Sequence, residues 1–403
     1  MRIALATVGT TGDVRPFATL ATRLVERGHD VTAISWPVHR TALSQSGVQV
    51  EVAGPHADLG RIASVAADAA ERGPMEQVAI LRDFHLADGE AHYRRLRELL
   101  PDHDIVLLHG IDALAQAAAM DLGIPWATAV FDPVLLPTAS APPPGMPSLG
   151  PGNRLLWTML DRMLQRAARP LDDLLQRAGS TQRGLALFRA RSPLLHLVAC
   201  SPSLVRVPPD LPPTAHVTGA WLDRSAPPPM PAELEAFLDD GAAPIVVTFG
   251  SMAGAPEGEL SAAIRAMLDG GRRVVVQGGA ADTSPNLLRV GAVDHRALFP
   301  RASLVVHHGG AGTTHAAVAA GVPSVVVPHV GDQRYWADRL YRLGVAPEPV
   351  RVRGLSGERL GETVLGAASD PRLREATRPL ADALAAEDGI GAATALLERI
   401  TIA

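Results

Sequence analysis

The side chains best suited to hold an anion form a single run, His307-His308-Gly309-Gly310-Ala311-Gly312-Thr313-Thr314. An apolar stretch, residues 304–307, precedes it, and a helix-like segment, residues 313–320, opens from its end. Glycines in such a turn let backbone N–H groups approach a guest closely, and a helix N-terminus adds partial positive charge. A phosphate or diphosphate is the natural occupant. Thr313 can cap the helix and still offer its hydroxyl. His308 can hydrogen-bond a phosphate oxygen and, if protonated, offset its charge. Standing alone, the run reads equally well as a tight strand-to-helix turn with two incidental histidines. It does not stand alone. The next apolar stretch, residues 324–327, leads through Pro328 to Gly331-Asp332-Gln333, an acid–amide pair able to hydrogen-bond several hydroxyls, as sugar recognition requires.

Positioning these groups takes strands that end where helices begin. Apolar runs at 2–8, 30–35, 105–109 and 126–131 read as buried strands, with helices predicted over 14–27 and 113–122. A stretch rich in Pro, Ser and Gly, residues 133–152, reads as a long surface loop. The proline-rich residues 207–231 read as an interdomain connection. Beyond them the alternation resumes, with strands at 245–249, 273–277, 304–307 and 324–327 and helices at 257–268 and 313–320. Strand–helix repetition with Gly at the turns predicts parallel, doubly wound sheets in two similar halves. The expected division is 1–206, a connection at 207–231, a second domain at 232–383, and a terminal helical segment at 384–403.

Composition narrows the classes. The 403 residues are 47% hydrophobic and 20% charged, enough for two sizeable cores. A net charge of −5 argues against a nucleic-acid partner. All 37 basic residues are arginine and asparagine occurs only at Asn153 and Asn286, the mark of a GC-rich bacterial genome. The single cysteine, Cys200, excludes an internal disulfide and reads as a packing residue. No long apolar span and no signal-like N-terminus are present, so a soluble cytoplasmic protein without integral membrane contact is expected. Spacing typical of metal ligands is absent, and no metal or cofactor is expected. Residues 56–100 read as amphipathic helices whose histidines line an acceptor pocket or face solvent, the latter favoured. Trp336 is expected to pack the helix at 332–343 onto its core, with His307 and His315 in structural roles.

The segment VDHRALFPRASLVVHHGGAGTTHAAVAAGVPSVVVPHVGDQRYWADRL resembles the donor-binding signature of family 1 glycosyltransferases. Within them it is most similar to the bacterial natural-product enzymes and the sterol glucosyltransferases. The opening GTTGDVRPFATLATRLVERGHDVT matches that family too, so the resemblance spans nearly the whole chain and is weak only between about 55 and 100. It implies an α/β fold of two facing Rossmann-like domains with an interdomain cleft (GT-B type). It further implies that His308, Gly310, Gly312 and Thr313 meet the donor diphosphate, with Gly250 and Ser251 as a second contact. Asp332 and Gln333 hydrogen-bond the donor sugar, and the Val293 backbone meets the nucleobase. The turn Thr10, Thr11 and Gly12 is assigned to the donor as well. Ala316 stands where plant members carry a ribose-binding glutamate, which leaves a dTDP-sugar open beside a UDP-sugar. Arg334 replaces a proline common in bacterial relatives.

The spacing of Gly9-Thr10-Thr11-Gly12-Asp13 is not the dinucleotide fingerprint, and Asp30 comes too early to be its acid, which argues against a dehydrogenase. The resemblance makes Asp13 the base on an acceptor hydroxyl, which suits a carboxylate at a strand end; capping of the helix at 14–27 is the competing role. Asp112 occupies the position whose acid supports a catalytic histidine in the family. Here it either raises the proton affinity of a neighbouring carboxylate or caps the helix at 113–122. The activity expected is inverting, metal-independent transfer of a sugar to a hydroxyl of a hydrophobic natural-product aglycone, with the nucleoside diphosphate sugar as co-substrate. A homodimer stays open. The rivals are a catalytically silent nucleotide-sugar-binding partner protein and a nucleotide-sugar epimerase of the same architecture.

Overall fold

The computed structural model describes residues 1–60, 65, 74–134, 136–143, 146–185, 190–249, 257–278, 283–352 and 354–400. The chain divides into two compact units, one comprising Met1–Asp223 with Asp388–Ala403, the other Arg224–Glu387. In the first, seven parallel strands form one sheet: β1 (Arg2–Ala6), β2 (Asp30–Ser35), β3 (Gln49–Val52), β4 (Ile105–His109), β5 (Trp126–Val130), β6 (His196–Val198) and β7 (Ala215–Val217). Their spatial order is β3-β2-β1-β4-β5-β6-β7, so the sheet reverses direction of growth between β1 and β4. Helices α1 (Thr11–Glu26), α2 (Arg40–Ser44), α3 (Pro74–Leu86), α4 (Gly89–Leu99), α5 (Ala113–Leu122), α6 (Asn153–Ala167) and α7 (Arg169–Arg177) accompany it.

The second unit holds β8 (Ile245–Thr248), β9 (Val274–Gln277), β10 (Thr283–Ser284), β11 (Leu287–Val290), β12 (Leu304–His307) and β13 (Ser324–Val326) in the order β10-β11-β9-β8-β12-β13. Among the described residues only the β10–β11 pairing is antiparallel, and the reversal falls between β8 and β12. Its helices are α8 (Ala232–Asp239), α9 (Glu257–Asp269), α10 (His295–Leu298), α11 (Ala311–Ala319), α12 (Gln333–Arg342), α13 (Gly357–Ser369) and α14 (Pro371–Ala386). A last helix, α15 (Gly389–Glu398), packs on α1 of the first unit, where Glu398 pairs with Arg27 and His29 at 3.0 Å.

Burial explains why these segments take these forms. β4 is Ile-Val-Leu-Leu-His with every residue buried, as a central parallel strand covered on both faces requires. α1 buries Val14, Phe17, Leu20, Ala21 and Leu24, one helical stripe. Trp336 is fully buried in α12, and Cys200 is buried and in no disulfide, in keeping with the packing roles read from the sequence. Among the described residues no helix is long and apolar enough to cross a membrane.

Several elements differ from the sequence reading. β7 lies inside the proline-rich stretch read as a connection; three residues of strand between prolines carry too little periodicity to stand out. β3, four residues long, is likewise too short for its pattern to stand out. α1 begins at Thr11 and α11 at Ala311, so neither Asp13 nor Thr313 is a cap residue; both sit two positions inside the first turn. His85 and His92 are buried rather than solvated, because α3 and α4 pack within the unit instead of lying on its surface.

Candidate active site

In open α/β sheets a ligand lies beyond the carboxyl ends of the strands, at the point where strand order reverses. In the first unit that point is β1/β4, and Asp13 and His109 come from there. The chain leaves β1 through Gly9, at φ +115°, where a Cβ would stand 2.5 Å from Asp13 Oδ2; only glycine permits the turn. Thr10 is the residue before α1, and its backbone N–H and hydroxyl both donate to Asp13 Oδ2, at 2.7 and 2.9 Å. With the Asp13 N–H donated back to the Thr10 carbonyl at 3.0 Å, this arrangement stabilises the helix start. It leaves Oδ1 with no hydrogen bond among the described residues, facing His109 Nε2 at 3.9 Å.

His109 ends β4 and is buried. Burial lowers its proton affinity, opposed by the charges of Asp13 and Asp112. Its ring lies 5.2 Å from Phe131 and 6.0 Å from Phe17, and Trp221 stands edge-on to both phenyl rings. The carboxylate of Asp13 thus borders an aromatic wall. Asp112 is buried, and its Oδ1 accepts the Ala115 N–H at 2.9 Å, a cap on α5. Asp132, just after β5, is a carboxyl that composition and motif did not mark. Its surroundings push it up to about 6, chiefly by burial and further by the charge of Asp13, against the Val134 N–H bond that favours its ionised form. Only the strand register, with His109 opposite Ala129 of β5, brings it to this edge.

In the second unit the corresponding edge lies at β8/β12. His307 Nδ1 accepts the Gly309 N–H at 3.0 Å, which folds the turn back on the strand end. Gly309, at φ +88°, would put a Cβ 2.9 Å from the Gln333 carbonyl, so its identity lets the glycine turn pack directly on the start of α12. Gly310 is the residue before α11, and Ala311, Gly312 and Thr313 form the first turn with their N–H groups free of intrahelical partners. Gly312 is exposed and Gly310 and Thr313 half-buried. Burial holds His308 down at about 3, with His329 and His295 acting in the same direction. The shift favours the neutral ring over the protonated form considered from the sequence. His308 Nδ1 is buried without a hydrogen-bond partner among the described residues.

Asp332 precedes α12 and accepts the Trp336 indole N–H at 3.0 Å. Gln333 is 5% exposed, and its Oε1 accepts the N–H groups of His329 and Val330 at 2.7 and 3.0 Å, bracing the turn after β13. Its amide nitrogen makes no hydrogen bond among the described residues. The Val293 carbonyl is taken by Gln277 Nε2 at 2.9 Å, and Gln277 Oε1 meets His295, which stacks on Phe299 at 4.2 Å. Sequence reasoning missed this glutamine, although it ends β9 as the other site residues end their strands. The structure therefore gathers His308, Gly310, Gly312 and Thr313 at one edge, with the Asp332–Gln333 turn packed on it through Gly309. Thr10, Thr11 and Gly12 belong with Asp13 in the first unit. Gly250 and Ser251 lie outside the described residues.

Residues 258–390 match the family described as erythromycin biosynthesis protein CIII-like, C-terminal domain. The chain is 34% identical to O-mycaminosyltylonolide 6-deoxyallosyltransferase of Streptomyces fradiae over 99% of its length and 97% of that enzyme's. It is 33% identical to vancomycin aglycone glucosyltransferase of Amycolatopsis orientalis over 86% of this chain and 85% of the other. In fold it is similar to the crystal structure of the glycosyltransferase of kitacinnamycin, with a TM-score of 0.73 at 23% identity over 99% and 98% of the two chains.

Proposed function

Because the chain belongs to the GT-B glycosyltransferases that include enzymes of antibiotic pathways, we propose that it moves a sugar from a nucleoside diphosphate donor to a hydroxyl of a hydrophobic natural-product aglycone, with inversion and without a metal ion. The second unit binds the donor. The unpartnered N–H groups that open α11 and the neutral His308 donate to the diphosphate, and the helix dipole favours its charge. Asp332 and the free amide of Gln333 hydrogen-bond the sugar. With alanine at 316, the ribose-binding carboxylate of the plant members is missing, which leaves a dTDP-sugar open beside a UDP-sugar.

The first unit activates the acceptor. The observation that carries this reading is the division of labour within Asp13: Oδ2 is tied to Thr10, while Oδ1 has no hydrogen bond among the described residues and faces the His109 ring at 3.9 Å. Oδ1 takes the hydroxyl proton as the acceptor oxygen bonds to the anomeric carbon. The bond from that carbon to the diphosphate breaks, and its electron pair leaves with the nucleotide, stabilised by the α11 turn. A single displacement of this kind inverts the anomeric centre. The test is incubation with dTDP-glucose and UDP-glucose in parallel, with hydroxylated aglycones. Release of nucleoside diphosphate together with an acceptor heavier by one sugar of inverted configuration supports the reading. Donor binding without release is the outcome expected of a silent binding partner, and a rearranged donor without acceptor consumption that expected of an epimerase.

A further inference from the structure

Asp132 takes no part in the reaction as read above, yet it is held in a particular way. Its Oδ1 accepts the Val134 N–H at 2.7 Å, a local turn that fixes the side chain. Its Oδ2 accepts nothing, and no cation pairs with it, among the described residues. An asparagine would make the same Val134 contact without a charge, so turn geometry alone does not explain a carboxyl here. An acid kept where burial and a like charge oppose its ionisation lowers folding stability at neutral pH, a pattern that marks functional groups rather than packing ones.

Its place in the sheet says what it can touch. β1, β4 and β5 are neighbours, so Asp13 after β1 and Asp132 after β5 flank the end of β4, where His109 sits. Strands are about 5 Å apart, which puts about 10 Å between the first and third strand ends before side chains lean inward. Two hydrogen bonds of about 2.7 Å to adjacent hydroxyls fit within that span. Phe131, the residue before Asp132, together with Phe17 and Trp221 forms an apolar wall beside it.

We propose that Asp132 is a specificity-determining residue for the acceptor: its free Oδ2 hydrogen-bonds a second hydroxyl adjacent to the one that Asp13 deprotonates, so that the preferred aglycone presents a 1,2-diol. This rests on the reading of Asp13 as the base. Asp132 itself gains and loses no proton in the transfer. A hydroxyl suits this carboxyl better than an amine does, because it can donate to the ionised form and accept from the protonated one, whereas an ammonium fits only the ionised form.

The probes are 2,3-dihydroxynaphthalene and 2-naphthol, each with dTDP-glucose and with UDP-glucose. In the wild type kcat/KM is expected to favour the diol by about tenfold or more, above the statistical factor of two, since a site built to hydrogen-bond a hydroxyl rejects an analogue lacking it. Asp132→Ser, which keeps the turn at Val134 but has no second polar atom to reach the acceptor, is expected to bring the ratio close to that statistical factor. A wild-type ratio near two overturns the inference, as does a ratio that survives this substitution. The wild-type comparison stands even where a variant fails to fold. Absence of transfer to any hydroxylated acceptor overturns the functional reading itself; transfer without discrimination overturns only the role of Asp132.

Discussion

The two strand-end edges are built in opposite ways. In the second unit the candidate donor edge comes from two short contiguous stretches, 307–313 and 329–336, packed on each other through Gly309. In the first unit the edge is assembled from single residues far apart in sequence: Asp13, His109, Asp132 and the rings of Phe17, Phe131 and Trp221. A diphosphate demands backbone N–H groups in a row, which only consecutive residues supply. An acceptor hydroxyl demands one base and a shaped apolar wall, which any set of neighbouring strands can supply. On the proposed function, the donor half is consequently written as motif and the acceptor half as topology.

Three substitutions sharpen the contrast, beginning with the largest effect. Asp132 has a folded-state value of about 6 against an ordinary value near 4. Its proton is therefore held more tightly in the folded state, and the stability this gives is complete below about pH 4 and is lost as pH rises through 6. Asp132→Asn is expected to stabilise the protein at pH 8 by up to about 3 kcal/mol, with the gain shrinking toward pH 4. Denaturant titrations at the two pH values check this; a gain independent of pH would remove the carboxyl from the desolvated edge.

His308→Ala is expected to weaken donor binding by about 10- to 100-fold, the worth of a buried hydrogen bond left unmade. Because burial holds this imidazole at about 3, its depressed value keeps it neutral throughout pH 5–8. Calorimetric donor affinity is therefore expected to show no inflection from His308 there; a rise in affinity on acidification that His308→Ala abolishes would show that the ring binds as a cation. Asp112→Ala is expected to cost about 1 kcal/mol in denaturant titration, the value of a helix cap, with Asp112→Asn recovering most of it. A loss that asparagine does not recover would mean that the charge, and not the cap, is what counts.

How much was legible follows from the same contrast. The strands Asp30–Ser35, Ile105–His109 and Leu304–His307 and the helix Ala113–Leu122 match their sequence reading residue for residue, because long apolar runs bounded by Gly or polar residues leave no alternative. The stretch 304–333 was legible as a strand, a glycine turn and a second strand end. Asp13 was legible as a residue but not as a geometry: that Oδ2 is spent on Thr10 while Oδ1 stays open depends on Gly9 and on α1 starting at Thr11. His109, Asp132 and Gln277 were not legible at all. Each is a lone polar residue at or just beyond a strand end, and only the order of the strands gives it a neighbour.

The role of Asp13 is tested most directly by Asp13→Asn, with transfer rate and donor affinity measured on the same preparation. Asparagine still accepts from the Thr10 N–H and hydroxyl through one oxygen, so the start of α1 is preserved while the base is removed. The account predicts that kcat falls by about 100-fold or more while the donor dissociation constant stays within about twofold. Transfer at a near wild-type rate, with α1 intact, would contradict it and leave Asp13 as a helix-start residue alone.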